Sequence, residues 1–153
     1  MEYGVFARSF RELDVYQRAL ELVIEINSFC DKLPSKEKYA LADQMRRASR
    51  SVCANIAEAW RKRRYKAAFI SKMSDAETEA GEIQCWLDVA QKLAYMPKEE
   101  YDQFDARYEH LLAQIVTMIK NADQWCALAP PRRNADTPAP RYANTPIRRN
   151  DRS

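Results

Sequence analysis

Apolar residues recur at intervals of three and four along four stretches of the chain, the spacing that gathers side chains on one face of an α-helix. The first stretch runs from about Phe10 to Leu33, with Leu13, Tyr16, Leu20, Val23, Asn27 and Cys30 in step. Pro34 stops it, and Ser35 is the expected cap of the second helix. The second stretch runs from about Tyr39 to Arg63. Leu41, Met45, Ala48, Val52, Ile56 and Trp60 form an almost unbroken stripe, while Asp43, Arg47, Arg50, Glu58 and Arg61 occupy a different face.

The third stretch runs from about Lys66 to Ala94, with Phe69, Met73, Ala76, Ala80, Ile83, Leu87, Ala90 and Ala94 as its stripe. So many alanines suggest close approach to a neighbouring helix. Gly81, which costs about 1 kcal/mol relative to alanine inside a helix, marks either tight packing or a tolerated surface position. The fourth stretch starts at Pro97, read as the first helical residue, with Glu99, Glu100 and Asp102 complementing the helix dipole. Tyr101, Phe104, Tyr108, Leu111, Ile115, Met118 and Ala122 form its stripe, and it ends near Trp125.

The connections are short, so successive helices should lie antiparallel. Matched lengths of roughly 30 to 43 Å at 1.5 Å per residue favour an all-α, up-down four-helix bundle over residues 1–128. Residues 129–153 differ. Pro130, Pro131, Pro138, Pro140 and Pro146 alternate with arginines and small polar residues, and Ala135-Asp136-Thr137-Pro138 recurs as Ala143-Asn144-Thr145-Pro146. No apolar period survives, so this segment reads as a disordered tail.

Composition agrees with helices. There are only two glycines, Gly4 and Gly81, in 153 residues, too few for the turns of an all-β fold. No apolar run approaches the roughly 20 residues of a membrane span, and Met1 to Phe10 lacks the pattern of a signal peptide. Cys30, Cys53, Cys85 and Cys126 are widely spaced and read as reduced, largely core residues of a cytoplasmic protein. The net charge of +3 conceals an asymmetry: six arginines and two aspartates lie in 129–153, leaving 19 basic and 20 acidic residues before it.

Candidate chemistry is sparse. His110, the one histidine, has no nucleophile near it in sequence, and Ser49 and Ser51 have no base. Two glycines cannot build a phosphate-binding loop of either common kind. Asp75, Glu77, Glu79 and Glu82 crowd the third helix, but a di-iron bundle needs two Glu-x-x-His motifs. These acids should face solvent or meet basic residues of another helix or subunit. No enzyme activity, metal or cofactor is expected.

The segment from Arg46 to Lys66 is the exception. Arg46, Arg47, Arg50, Arg61, Lys62, Arg63, Arg64 and Lys66 stand against one acid, Glu58. Such clusters neutralise phosphates and release counterions, and the flanking Trp60 and Tyr65 could stack on unpaired bases. The alternative is a solvated helix end whose cations favour the C-terminal dipole.

Arg46-Arg47-Ala48-Ser49-Arg50-Ser51-Val52-Cys53-Ala54-Asn55-Ile56-Ala57-Glu58-Ala59 resembles the R-R-A-x-x-S-I-P-A-N-I-A-E-G signature of the bacterial "four helix bundle protein" family, also called the 23S rRNA intervening-sequence protein family. Phe10-Arg11-Glu12-Leu13-Asp14-Val15-Tyr16-Gln17 and the stretch from Asp75 to Leu87 match as well, so the resemblance spans about residues 8–125. Cys53 replaces the usual proline and Ala59 the usual glycine, which should let the helix run on more regularly toward the basic run. The resemblance implies a four-helix protomer in a homopentameric ring. It also implies similarity to the accessory protein of diversity-generating retroelements, hence RNA or DNA and a protein such as a reverse transcriptase as partners. The two functional expectations are a nucleic-acid-binding oligomer and an oligomeric scaffold whose arginines pair with acids across subunits.

Overall fold

A computed structural model describes residues 7–126 of the chain. Four long helices, α1 (Asp14–Asp31), α2 (Leu41–Arg61), α3 (Lys66–Lys92) and α4 (Lys98–Lys120), are followed by the short α5 (Ala122–Cys126), with 3-10 turns at Phe10–Glu12 and Ser35–Glu37. No strand occurs among the described residues. The expected disordered tail at 129–153 lies outside the described residues.

Polar cross-links between neighbouring helices fix their directions. Arg46, early in α2, reaches Asn27 (3.0 Å) and Asp31 (2.6 Å) late in α1. Arg47 pairs with Glu82, far along α3, whereas Glu58, late in α2, meets Lys72 near the start of α3 at 2.9 Å. Tyr101 at the start of α4 donates to Asp88 near the end of α3, and Gln114 late in α4 reaches Asp14, the first residue of α1, at 2.7 Å. Each partner advances as the other retreats, so the four helices form an antiparallel up-down bundle. The contact between α2 and α3 is the most extensive, and α1 touches α4 only sparsely. The close pair is where alanine dominates: Ala48, Ala59, Ala76 and Ala80 are fully buried.

The stripes read from sequence for α2, α3 and α4 are the core, except that Ala94 is exposed beyond the end of α3 and Tyr101 is half-buried. Met45, Val52, Ile56, Phe69, Met73, Ile83, Leu87, Tyr108, Leu111 and Ile115 are almost wholly removed from water. Helix α1 differs. Its buried line is Val15, Ala19, Leu22, Ile26 and Phe29, joined by Cys30, while Leu20 from the expected stripe is exposed, as is Ile24. Apolar residues lie on two faces of α1, and periodicity alone could not select the inward one.

Helix ends also depart from expectation. The chain forms a 3-10 turn at Phe10–Glu12 before α1, with Ser9 accepting from Arg11. Ser35 opens a 3-10 turn and does not cap α2. Glu37 takes that part instead: its carboxylate accepts from the Leu41 amide and the Tyr95 hydroxyl, each at 3.2 Å. Pro97 is the N-cap of α4, not its first helical residue, with ψ of 153° and its carbonyl accepting from Tyr101. Helix α3 stops before Ala94, which has φ of 62°. The Tyr95 amide donates to the Ala90 carbonyl (2.9 Å) and the Ala94 amide to Gln91 (3.0 Å). This double closure normally uses glycine at the left-handed position, and alanine in its place hides the helix end from sequence.

Gly81 faces open space, with no atom beyond its own stretch of helix within 4 Å of a Cβ built there, so it is a surface glycine. The cysteines are less uniformly core than expected. Cys30 is buried, Cys53 and Cys126 are half-buried and Cys85 is exposed; all four are free. No helix among the described residues is long and apolar enough to cross a membrane.

Candidate nucleic-acid interface

Antiparallel packing sets the end of α2, the start of α3, the start of α1 and the end of α4 at one end of the bundle. The eight basic residues from Arg46 to Lys66 are divided between this end and the body of α2. Arg46 and Arg50 are separated from Arg61 by roughly 15 and 11 residues of helix, or about 22 and 16 Å at 1.5 Å per residue.

Within the body of α2, Arg46 and Arg47 are engaged. Arg46 bonds to Asn27 and Asp31 on α1. Arg47 pairs with Glu82 and, at 3.6 Å, with Glu79 on α3. The Arg47 hydrogen bond holds the Glu82 carboxyl below the usual carboxylate range. Trp86 adds its indole N–H to the same carboxylate at 3.1 Å. These acids of α3 thus meet a base of a neighbouring helix, as expected. Arg50 is exposed and has no ion pair among the described residues. With Arg46, Arg47, Ser51 and Ala54 it lines a shallow depression of about 670 Å³.

At the bundle end the helix runs through Ala59 and Trp60 and unwinds after Arg61. The Lys62 amide still donates to Glu58 (2.9 Å), and the Tyr65 amide closes a turn onto the Lys62 carbonyl at 2.9 Å. The turn sorts its side chains. Arg63 folds inward, its guanidinium carbon 3.8 Å from the centroid of the Trp60 ring and its Nη1 donating to the Trp60 carbonyl at 3.1 Å. Trp60 is buried and meets Trp125 edge-on, centroids 6.5 Å apart. Burial first, then the repulsion of Arg61 and Arg64, lowers the Arg63 pKa. Arg61, Lys62, Arg64 and Tyr65 are exposed. None of Arg61, Lys62, Arg63 and Arg64 has a carboxylate partner among the described residues, whereas Lys66 pairs with Asp123 of α5 at 2.6 Å.

Two further cations share this end: Arg11, in the 3-10 turn before α1, and Lys120, in the last turn of α4. Nothing in sequence pointed to them, because only the antiparallel topology brings residues 11 and 120 to the same end of the bundle as residues 61–66.

Elsewhere, a cleft of about 820 Å³ opens where α1 and α4 touch sparsely, over Leu13, Val15, Met118 and Trp125. On its rim Asp14 accepts from Arg18 (2.8 Å) and Gln114 (2.7 Å), bonds that lower the Asp14 pKa. Arg18 Nη1 lies 3.3 Å from His110 Nδ1. The partner of this histidine is therefore a cation, not the carboxylate that orients a general base. Among the described residues no three His, Cys, Asp or Glu side chains gather as a metal site.

The N-I-A-E signature is mainly architectural. Ile56 is core, Glu58 ties α2 to α3 through Lys72, and the Asn55 amide donates back to Ser51 at 3.0 Å.

Comparison with known proteins bears on this end. Residues 11–117 match the model of a family described as the 23S rRNA-intervening sequence protein. The chain is also similar to a solved structure from Bacteroides thetaiotaomicron, a protein of unknown function from the S23 ribosomal protein family. That similarity has 27% identity and a TM-score of 0.65, and covers 69% of this chain and 95% of the other. No curated protein matches the chain.

Proposed function

The chain belongs to the 23S rRNA-intervening sequence protein family, and on that footing we propose that it is a non-enzymatic, cytoplasmic homo-oligomer that binds nucleic acid, RNA above all. The observation that carries the reading is the set of exposed cations Arg61, Lys62 and Arg64 on one turn, with no carboxylate partner among the described residues. Cations splayed around a helix end suit sequence-independent phosphate contact better than base readout. A ring of protomers, five by analogy with the resemblance, multiplies that contact through effective concentration. Arg46 and Arg47, occupied by acids of their own protomer, have a structural part in this reading, and Arg50 a lesser contact. A reverse transcriptase or similar protein is the proposed protein partner.

Filter binding of a mixed-sequence RNA to the full chain and to the triple variant Arg61→Gln, Lys62→Gln, Arg64→Gln tests the reading. Arg63 is left in place because it stacks on Trp60 and its loss confounds stability with affinity. The triple variant should fold and assemble normally and bind RNA at least tenfold more weakly, three lost phosphate contacts being a substantial share of a nonspecific affinity. A variant that instead changes oligomeric state, with no RNA affinity in the wild type, would support the scaffold reading.

A further inference from the structure

We propose that the basic turn takes single-stranded nucleic acid, with Tyr65 stacking on an unpaired base; this rests on the nucleic-acid reading above. In sequence Trp60 and Tyr65 flank the basic run symmetrically. The fold makes them different. Trp60 is 3% exposed, closed over by Arg63 and met edge-on by Trp125, so no base can reach its face. Tyr65 is 67% exposed and belongs neither to the core nor to an aromatic pair among the described residues. Its backbone is held rigidly. The amide donates to Lys62 and the carbonyl accepts from Phe69, both at 2.9 Å, so the ring projects from a fixed point where α3 begins.

An exposed aromatic in a watery setting gains from covering its face, and its neighbours in the chain are Arg64 and Lys66. A phosphate held by Arg61, Lys62 or Arg64 brings its own nucleotide within reach of the ring. A paired base has both faces already stacked within the duplex and offers the ring nothing, whereas an unpaired base can take it up. Stacking needs no particular base, in keeping with a phosphate-led site. Tyr39 supplies an internal control. It is 80% exposed but precedes α2 at the opposite end of the bundle, with the Lys38 ammonium 5.3 Å from its ring centroid.

Fluorescence anisotropy with oligouridylate, and with a fully paired RNA duplex of equal phosphate number, separates the cases. Tyr65→Leu should weaken oligouridylate binding about fivefold or more, the low end for one lost base stack, and leave duplex binding and its salt dependence unchanged. Tyr65→Phe should bind as the wild type does, and Tyr39→Leu should have no effect. Equal oligouridylate affinity for Tyr65→Leu and wild type would overturn the inference while the nucleic-acid reading stands. So would an equal loss on both RNAs, or a change in oligomeric state. Wild-type protein that binds neither RNA would overturn both.

Discussion

The guanidinium carbon of Arg63 lies over the Trp60 ring, 3.8 Å from its centroid. One residue of a four-cation run is thereby half-buried and becomes part of the closure between α2 and α3. Replacing Arg63 with glutamine removes a cation–π contact of about 0.5–2 kcal/mol and should lower the urea midpoint accordingly. Arg61→Gln and Arg64→Gln, on exposed side chains, should each stay within about 0.5 kcal/mol of wild type.

Gly81 and Ala94 stand in each other's natural places. Gly81 is inside α3 with open space where a Cβ would go, and Ala94 holds the left-handed position that ends the same helix. Gly81→Ala should stabilise the protein by about 0.5–1 kcal/mol through helix propensity and the entropy of the unfolded chain. Ala94→Gly should also stabilise it, by a similar amount, because left-handed backbone costs a non-glycine residue about 1 kcal/mol or more. Equilibrium denaturation of both single variants and the pair checks this. The positions are far apart along the bundle, so the gains should add.

The thiols predict an alkaline limit to stability. Burial pushes both Cys30 and Cys53 up to about 11, while in the unfolded chain each titrates near its ordinary value of about 8.5. Above that ordinary value the unfolded chain releases protons that the folded one keeps. The stability these groups contribute is therefore complete below it and is lost as pH rises toward 11. Urea midpoints should fall across this window, and the double variant Cys30→Ala, Cys53→Ala should flatten the fall. A thiol reagent at neutral pH should label exposed Cys85 first and Cys30 only on unfolding.

Assembly has its own signature. Leu20 and Ile24 put apolar area on the outer face of α1, with Ile24 61% exposed. In the proposed oligomer this face is a natural subunit contact. Light scattering should give a mass near five times the 17.8 kDa of one chain, and Ile24→Glu should shift it toward the protomer with helical circular dichroism retained. A stable monomer at micromolar concentration would contradict the ring.

The physics of each element decides how far it was legible in the sequence. The stripes of α2 and α3 were legible because Met45, Val52, Ile56, Met73, Ile83 and Leu87 have polar residues on the opposite faces. Helix α1 was not, because Leu20 and Ile24 are as apolar as Leu22 and Ile26 and only packing tells them apart. The end of α3 was misplaced because alanine gives no sign of positive φ. At the site, the basic residues were plain, but their sorting was not. The partners of Arg46 and Arg47 lie on α1 and α3, up to 35 positions away, and nothing local separates Trp60, which is buried, from Tyr65, which is not.

The most direct test of nucleic-acid binding at this end of the bundle is the slope of the logarithm of RNA affinity against the logarithm of salt concentration, measured for wild type and for the triple variant of Arg61, Lys62 and Arg64 at matched oligomeric state. Each phosphate contact on a single strand contributes about −0.7 to that slope. The wild type should give a steep linear fall, and the variant a slope shallower by about 2 for each protomer engaged. A wild-type affinity independent of salt, or a variant with the same slope as wild type, would contradict the assignment of nucleic-acid binding to the basic turn.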